Sequence, residues 1–403
     1  MLPIVATLVI SASCSKDNGN DEKQTKIDIQ LTSAQKLLAE NGNRFAINAF
    51  KAANDETTNI ALSTYGLQTT LAILANGTSA EATREIKSAL YAEQSTVDQL
   101  NSYYKTMTDG LLVADSKVNV KVANAVWSAN GISCKEEFRN ALSTYYKAPV
   151  SSIDFSSPNA LEAINKWVSS ATNGEISKFL DKIPASTSIC LANALTFNGK
   201  WTTPFQGKNT KQVTFTNWKD DAEKCLSMTG DISVYTSSNS KVDMVELDYG
   251  SRAYSMDIIK MKDKTKINEF ISSMSYSDIN ELITNLWPAG ELTVQLPKFK
   301  ASYKYDLVNT IKKLGINKLF ESEGFSEWSG TSIAITKYYQ QMSITVDESG
   351  TRASSATVSE GQVTAAPWNG YFTVDSPFIY LVRERSTGAI LLIGKVQTMA
   401  SMQ

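Results

Sequence analysis

The chain has 403 residues, 42% hydrophobic and 20% charged, the balance of an ordinary soluble globular protein. Its 39 basic and 41 acidic residues leave a net charge of −2 with no basic stripe, so no nucleic-acid or other polyanion partner is expected. There is no histidine, which excludes Ser-His and Cys-His nucleophilic catalysis and imidazole-ligated metals, and argues against an enzyme.

Residues 2–10 are apolar but fall short of the roughly 20 needed to span a bilayer, and residues 1–13 read as an export signal. The run Ser11-Ala-Ser-Cys14 resembles a bacterial lipobox, although no Lys or Arg precedes it. Lipidation of Cys14 is therefore expected, with residues 14–29 as a polar tether. That puts the protein in a bacterial cell envelope, anchored at the outer membrane or cell surface, or else secreted; the lipid is its one membrane contact. The other cysteines, Cys134, Cys190 and Cys225, lack zinc or C-x-x-C spacing, and no cofactor is expected.

From residue 30 to the end no linker or change of composition interrupts the chain, which implies one domain, 30–403. Phe45, Ala49 and Phe50 suit an amphipathic helix, and Thr78-Ser-Ala-Glu81 reads as a capping box for a helix from Glu81 to Leu90. Asn119 to Trp127 reads as a strand. Ser157-Pro158 opens a helix that buries Ile164, Trp167, Val168 and Ala171 and stops at Asn173-Gly174. Ile189-Cys-Leu-Ala-Asn-Ala-Leu-Thr-Phe is a buried strand running into Gly199-Lys-Trp201 and Pro204-Phe205. Leu292 to Phe299 is another strand, followed by a helical pattern from Tyr305 to Gly315. Phe378–Val382 and Ile390–Val396 form a buried hairpin.

The stretch from Met342 to Phe378 is unusual. A strand with Ile344 and Val346 on one face ends at Ser349-Gly350. Beyond it, the odd positions Thr351, Ala353, Ser355, Thr357 and Ser359 are small and uncharged. The even positions hold the two charges, Arg352 and Glu360. A segment that only had to stay solvated has no reason to segregate charge in this way, whereas one that enters a sheet needs one small face.

Glu348-Ser-Gly350-Thr351 followed by Ala353, Ser355 and Thr357 resembles the hinge of the serpin family. Asn124-Ala-Val-Trp127, the Ile189–Phe205 motif, Asp375-Ser-Pro-Phe378 and Gly394-Lys-Val396 are similar to other family signatures. The resemblance covers about residues 30–400. It implies an α+β serpin fold with three β-sheets, about eight to nine helices and a reactive loop near 349–370. It also implies a monomeric protease inhibitor in which the loop is cleaved, the protease is trapped as an acyl-enzyme, and the freed strand inserts into the main sheet.

Ser63, Asn193, Trp201 and Gln340 fall at the family's sheet-opening positions. Gln340 stands where a histidine is usual and Gly66 where a second serine is usual. An amide both donates and accepts, so it replaces a neutral imidazole without its titration, and stability is expected to be nearly flat from about pH 6 to 8. The family's loop length, counted from Glu348, puts Thr364 in the protease's specificity pocket with cleavage before Ala365; a slip of register would put Val363 or Ala365 there. All three are small or β-branched and uncharged, which favours elastase-like or subtilisin-like serine proteases over trypsin-like ones. The alternatives are inhibition of papain-like cysteine proteases through Val363, and a non-inhibitory binding or carrier protein.

Overall fold

The computed structural model describes residues 26–352 and 370–402. Cys14 with the signal and most of the tether, and Ala353, Ser355, Thr357, Val363, Thr364 and Ala365, lie outside the described residues. The body begins before the expected boundary at residue 30. Lys26 bridges to Asp115, Ile27 N–H donates to Ala114 C=O at 2.8 Å, and Ile29 packs on the core.

Helix α1 (Ser33–Ala53) starts in a capping box between Thr32 and Gln35 and turns Phe45, Ala49 and Phe50 inward. Strand β1 (Ile60–Leu62) leads into α2 (Thr64–Ala75), buried along its whole length and so flanked by protein on all sides. Helix α3 (Ala80–Ala89) is capped by Ser79, one residue beyond the expected Thr78, because the Ser79 hydroxyl accepts from Ala82 N–H. Next come α4 (Val97–Leu111), β2 (Val118–Ala129), α5 (Glu136–Tyr146) and β3 (Val150–Ile153). Helix α6 (Pro158–Ala171) has the Ser157 cap and first-turn proline read from the sequence, and Asn173 and Gly174 follow at φ +53° and +83°.

The chain continues through β4 (Ile189–Lys200), β5 (Lys211–Thr216), β6 (Ala222–Ser238), β7 (Val242–Tyr249) and β8 (Tyr254–Met261). Then follow α7 (Ile267–Ser273), α8 (Tyr276–Thr284), β9 (Trp287–Pro297), β10 (Phe299–Asp306) and α9 (Val308–Lys313). Helix α9 starts later than expected because Tyr305 is held in the sheet opposite Gln340. The last strands are β11 (Tyr339–Asp347), β12 (Gly350–Arg352), β13 (Tyr371–Thr373), β14 (Phe378–Glu384) and β15 (Ile390–Val396).

Among the described residues there are nine α-helices, and the strands form two hydrogen-bonded networks. One has the order β1-β15-β14-β8-β7-β6-β9-β13, with β5 also on β6. It holds two of the three expected sheets, merged because the 17-residue β6 belongs to both. Residues 222–227 of β6 pair with β5, residues 227–236 with β9 through a register shift at Val234/Tyr235, and its last four residues with β7. The main sheet has the order β10-β11-β12-β4-β2-β3. Helix α6 covers its outer face, where Ile164 and Val168 share a small core with Ala125, Trp127 and Ala192, and Trp167 meets Trp127 edge-on at 5.5 Å. The inner face rests on the large core that includes α2.

Candidate functional site

The hinge is a strand three residues long wedged into the middle of the main sheet. On one side Thr345, Val346 and Asp347 pair with Arg352, Thr351 and Gly350; on the other, Gly350 and Thr351 pair with Lys200 and Gly199. Beyond this wedge, among the described residues, no ladder joins β4 to β11. Gly350 is required here: its φ is +152°, and a Cβ would lie 2.1 Å from Gly199 O.

Trp201 holds the turn before the wedge. Its indole N–H donates to Asp347 C=O at 2.9 Å and its amide to Ser349 C=O at 2.9 Å. The ring stacks on Tyr249 at 4.4 Å, and the Tyr249 hydroxyl is hydrogen-bonded to that of Thr351, which is only 2% exposed. Glu348 is fixed by Lys298 at 2.8 Å and by the Thr210 hydroxyl at 2.7 Å. Burial opposes these contacts, but Lys298, Thr210 and the backbone together hold the Glu348 carboxyl below its ordinary range. Of the residues singled out in the sequence, the structure brings Trp201, Glu348, Gly350 and Thr351 together, and it adds Tyr249, Thr210 and Lys298, which the sequence did not point to. Tyr249 sits in a turn signal, Asp248-Tyr-Gly250, and its role arises only when β7 is brought against the wedge.

One strand length lower, Gln340 grips the backbone of a single residue from both sides. Its Oε1 accepts from Ser63 N–H at 2.9 Å and its Nε2 donates to Ser63 C=O at 2.9 Å. Ser63 is the residue before α2, and both groups are buried. Asn193 donates to Asn124 at 2.7 Å, tying β4 to β2. Gly66 has a steric reason: a Cβ there would lie 2.5 Å from Asn193 Oδ1 and 2.8 Å from Ser63 Oγ. Replacing Gln340 by Leu should destabilise the protein by about 1–3 kcal/mol, since the buried Ser63 N–H loses its partner while Ser63 C=O keeps the hydrogen bond from Leu67 N–H. Urea unfolding measures this, and a change below about 0.5 kcal/mol would mean that the grip contributes nothing.

Below Gln340 the sheet opens into a cavity of about 530 Å³ between the start of β4 and the start of β11. Its walls include the buried Leu74 and Leu180 and the half-buried Ile183, Ile189, Leu191 and Ile335. Helix α6 and the connector after it frame this side of the sheet.

That connector carries a titrating group. Burial pushes the Glu175 carboxyl up to about 7, against the pull of Lys121. The Glu246 carboxyl is also raised, by its own burial and by Asp257, despite the guanidinium groups of Arg383 and Arg385. These raised carboxyls argue against the flat profile expected from the lack of histidine. A folded pKa above the unfolded value near 4.5 means that this contribution is complete below about pH 4.5 and lost as pH rises through about 7. Stability at pH 6 should exceed that at pH 8 by about 1 kcal/mol once the partial exposure of Glu175 is discounted, and Glu175→Gln should remove much of that slope. Equal stability at both pH values, measured in urea, would refute this.

Comparison with known proteins agrees with this architecture. The family model described as "Serpin (serine protease inhibitor)" matches residues 40–399. A serine protease inhibitor from Cyanea capillata is 30% identical over 353 residues, covering 85% of this chain and 93% of the relative. The native state of tengpin, a thermophilic serpin, superimposes with a TM-score of 0.84 at 25% identity, over 93% of this chain and 97% of that one. Human thyroxine-binding globulin shares the fold, with a TM-score of 0.83 at 22% identity, over 91% and 99% of the two chains.

Proposed function

The chain belongs to the serpin family, and on that premise we propose that it inhibits elastase-like or subtilisin-like serine endopeptidases as a suicide substrate. The observation that carries this reading is the wedge: residues 350–352 already sit between β4 and β11. A strand that follows them has its place prepared. The serine hydroxyl of the protease attacks the carbonyl of Thr364, the amine of Ala365 leaves, and the loop remains esterified to the enzyme through Thr364. Residues from 353 onward then pair between β4 and β11.

Continued residue by residue, the register of the wedge sets Thr357 against Asn193 on one side and Gln340 on the other. Thr351 faces the inner core, so Ala353, Ser355, Thr357 and Ser359 follow onto the α2 side, where Gly66 leaves little height. Small residues on that face therefore match the surface they would meet. The remaining even positions turn toward α6, with Ala356 and Val358 over its apolar side. The protein is read as a monomer, displayed on a cell surface through Cys14 or secreted.

The likeness to thyroxine-binding globulin keeps a non-inhibitory carrier as the second reading. The test is to mix the protein with pancreatic elastase or subtilisin and look for a covalent complex that survives denaturation. A stable complex is expected with cleavage after Thr364. Cleavage without complex would favour the carrier, and a complex formed with papain but neither serine enzyme would move the target to cysteine proteases through Val363.

A further inference from the structure

The cavity beneath the wedge has a lining that the inhibitory reading does not by itself require. Four aliphatic side chains, Ile183, Ile189, Leu191 and Ile335, are left half-exposed around about 530 Å³, a size in the range of small-molecule sites. The polar groups at its inner end are already engaged. Gln340 is bound to Ser63, Asn193 to Asn124, and the Thr70 hydroxyl to Gly66 C=O. With these groups bonded within the protein, the inner end suits an apolar tail better than a polar head.

The charges at the outer end are matched with one exception. Lys337 is paired with Asp306 at 2.8 Å, and Asp181 is held by Lys178 at 2.9 Å and Lys304 at 2.8 Å. Lys182, exposed on the cavity wall, has no ion pair or hydrogen bond among the described residues. We propose that this cavity binds a single-chain carboxylate amphiphile, with its tail among the aliphatic residues and its carboxylate at Lys182. The occupant would fill the space that the lower part of the inserted strand needs. Binding and insertion are then mutually exclusive, and this consequence rests on the inhibitory reading above.

Dodecanoate, added below its micellar concentration to the intact protein and followed by isothermal titration calorimetry, tests the site. One mole should bind per mole of protein. Affinity should fall about fourfold for each methylene removed, so octanoate, four methylenes shorter, binds roughly 200-fold more weakly. Dodecanol, which lacks the charge, and Lys182→Gln should each cost about fivefold. Ile335→Trp, which fills the cavity from a position outside the strands, should abolish binding; native-like circular dichroism shows that the variant is folded. No binding by the intact protein, or binding unchanged in both variants, overturns the proposal. A loop-cleaved sample separates the two readings. If cleavage raises the melting temperature yet dodecanoate binds as before, the site is elsewhere and the proposal fails. If cleavage changes neither and the two variants still weaken binding, the site stands and the insertion reading fails.

Discussion

Cleavage of the loop between residues 353 and 369 should raise the melting temperature of this protein by at least about 10 °C, without reduction or any added ligand. The wedge supplies the reason. It occupies three residues of a slot bordered by two twelve- and nine-residue strands, β4 and β11, and the rest of their facing edges are not joined to each other. A freed strand of about ten residues adds ladder hydrogen bonds worth roughly 0.5–1.5 kcal/mol each, on the order of 10 kcal/mol together. Burial of the half-exposed aliphatic residues around the cavity adds about 0.8 kcal/mol per methylene equivalent. For a chain this long, the entropy of unfolding converts each kcal/mol into about 1–2 °C. Differential scanning calorimetry of intact and nicked protein is the measurement. Equal transitions would mean that the nicked strand stays outside the sheet, and the trapping mechanism would lose its source of energy.

Much of this was legible in the sequence, and the parts that were not share a cause. The hinge could be read because period-two alternation records which residues face a core, and Thr351 does face it. The helix that covers the sheet could be read because Ser157-Pro158 and Asn173-Gly174 are local signals that need no tertiary partner. Tyr249, Thr210 and Lys298 could not be read, because each meets residues 348–351 from 50 or more residues away in the chain. The same holds for Glu175. A sequence without histidine argues for a flat pH profile only while every carboxyl stays solvated, and burial depends on the fold. The partner of Asn193 is likewise set by cross-strand register, which puts it directly opposite Asn124.

On the proposed mechanism, Thr351→Arg should make the protein a substrate of its target protease, with the yield of denaturation-resistant complex falling to below about a tenth of the wild-type value. Thr351 is 2% exposed, its hydroxyl meets that of Tyr249, and the Tyr249 ring lies flat against Trp201, so an arginine side chain has no room on that face. Forcing the guanidinium inward costs several kcal/mol of desolvation with no carboxylate to receive it. Leaving the wedge outside the sheet forfeits its pairing with β4 and β11. Either way the first step of insertion slows, and every 1.36 kcal/mol on that barrier is a factor of ten in rate. Hydrolysis of the acyl-enzyme competes with insertion from the same intermediate, so two or three such factors suffice for the protease to escape. Thr351→Ser keeps the hydroxyl and the volume within one methyl group and should inhibit normally, which separates charge and size from any special need for threonine. The stoichiometry of inhibition against elastase, with gel analysis of the products, reads both variants. Undiminished complex formation by the arginine variant would show that the strand does not enter past Tyr249 and Trp201, and the seated wedge would then be a resting feature of the fold with no part in trapping the enzyme.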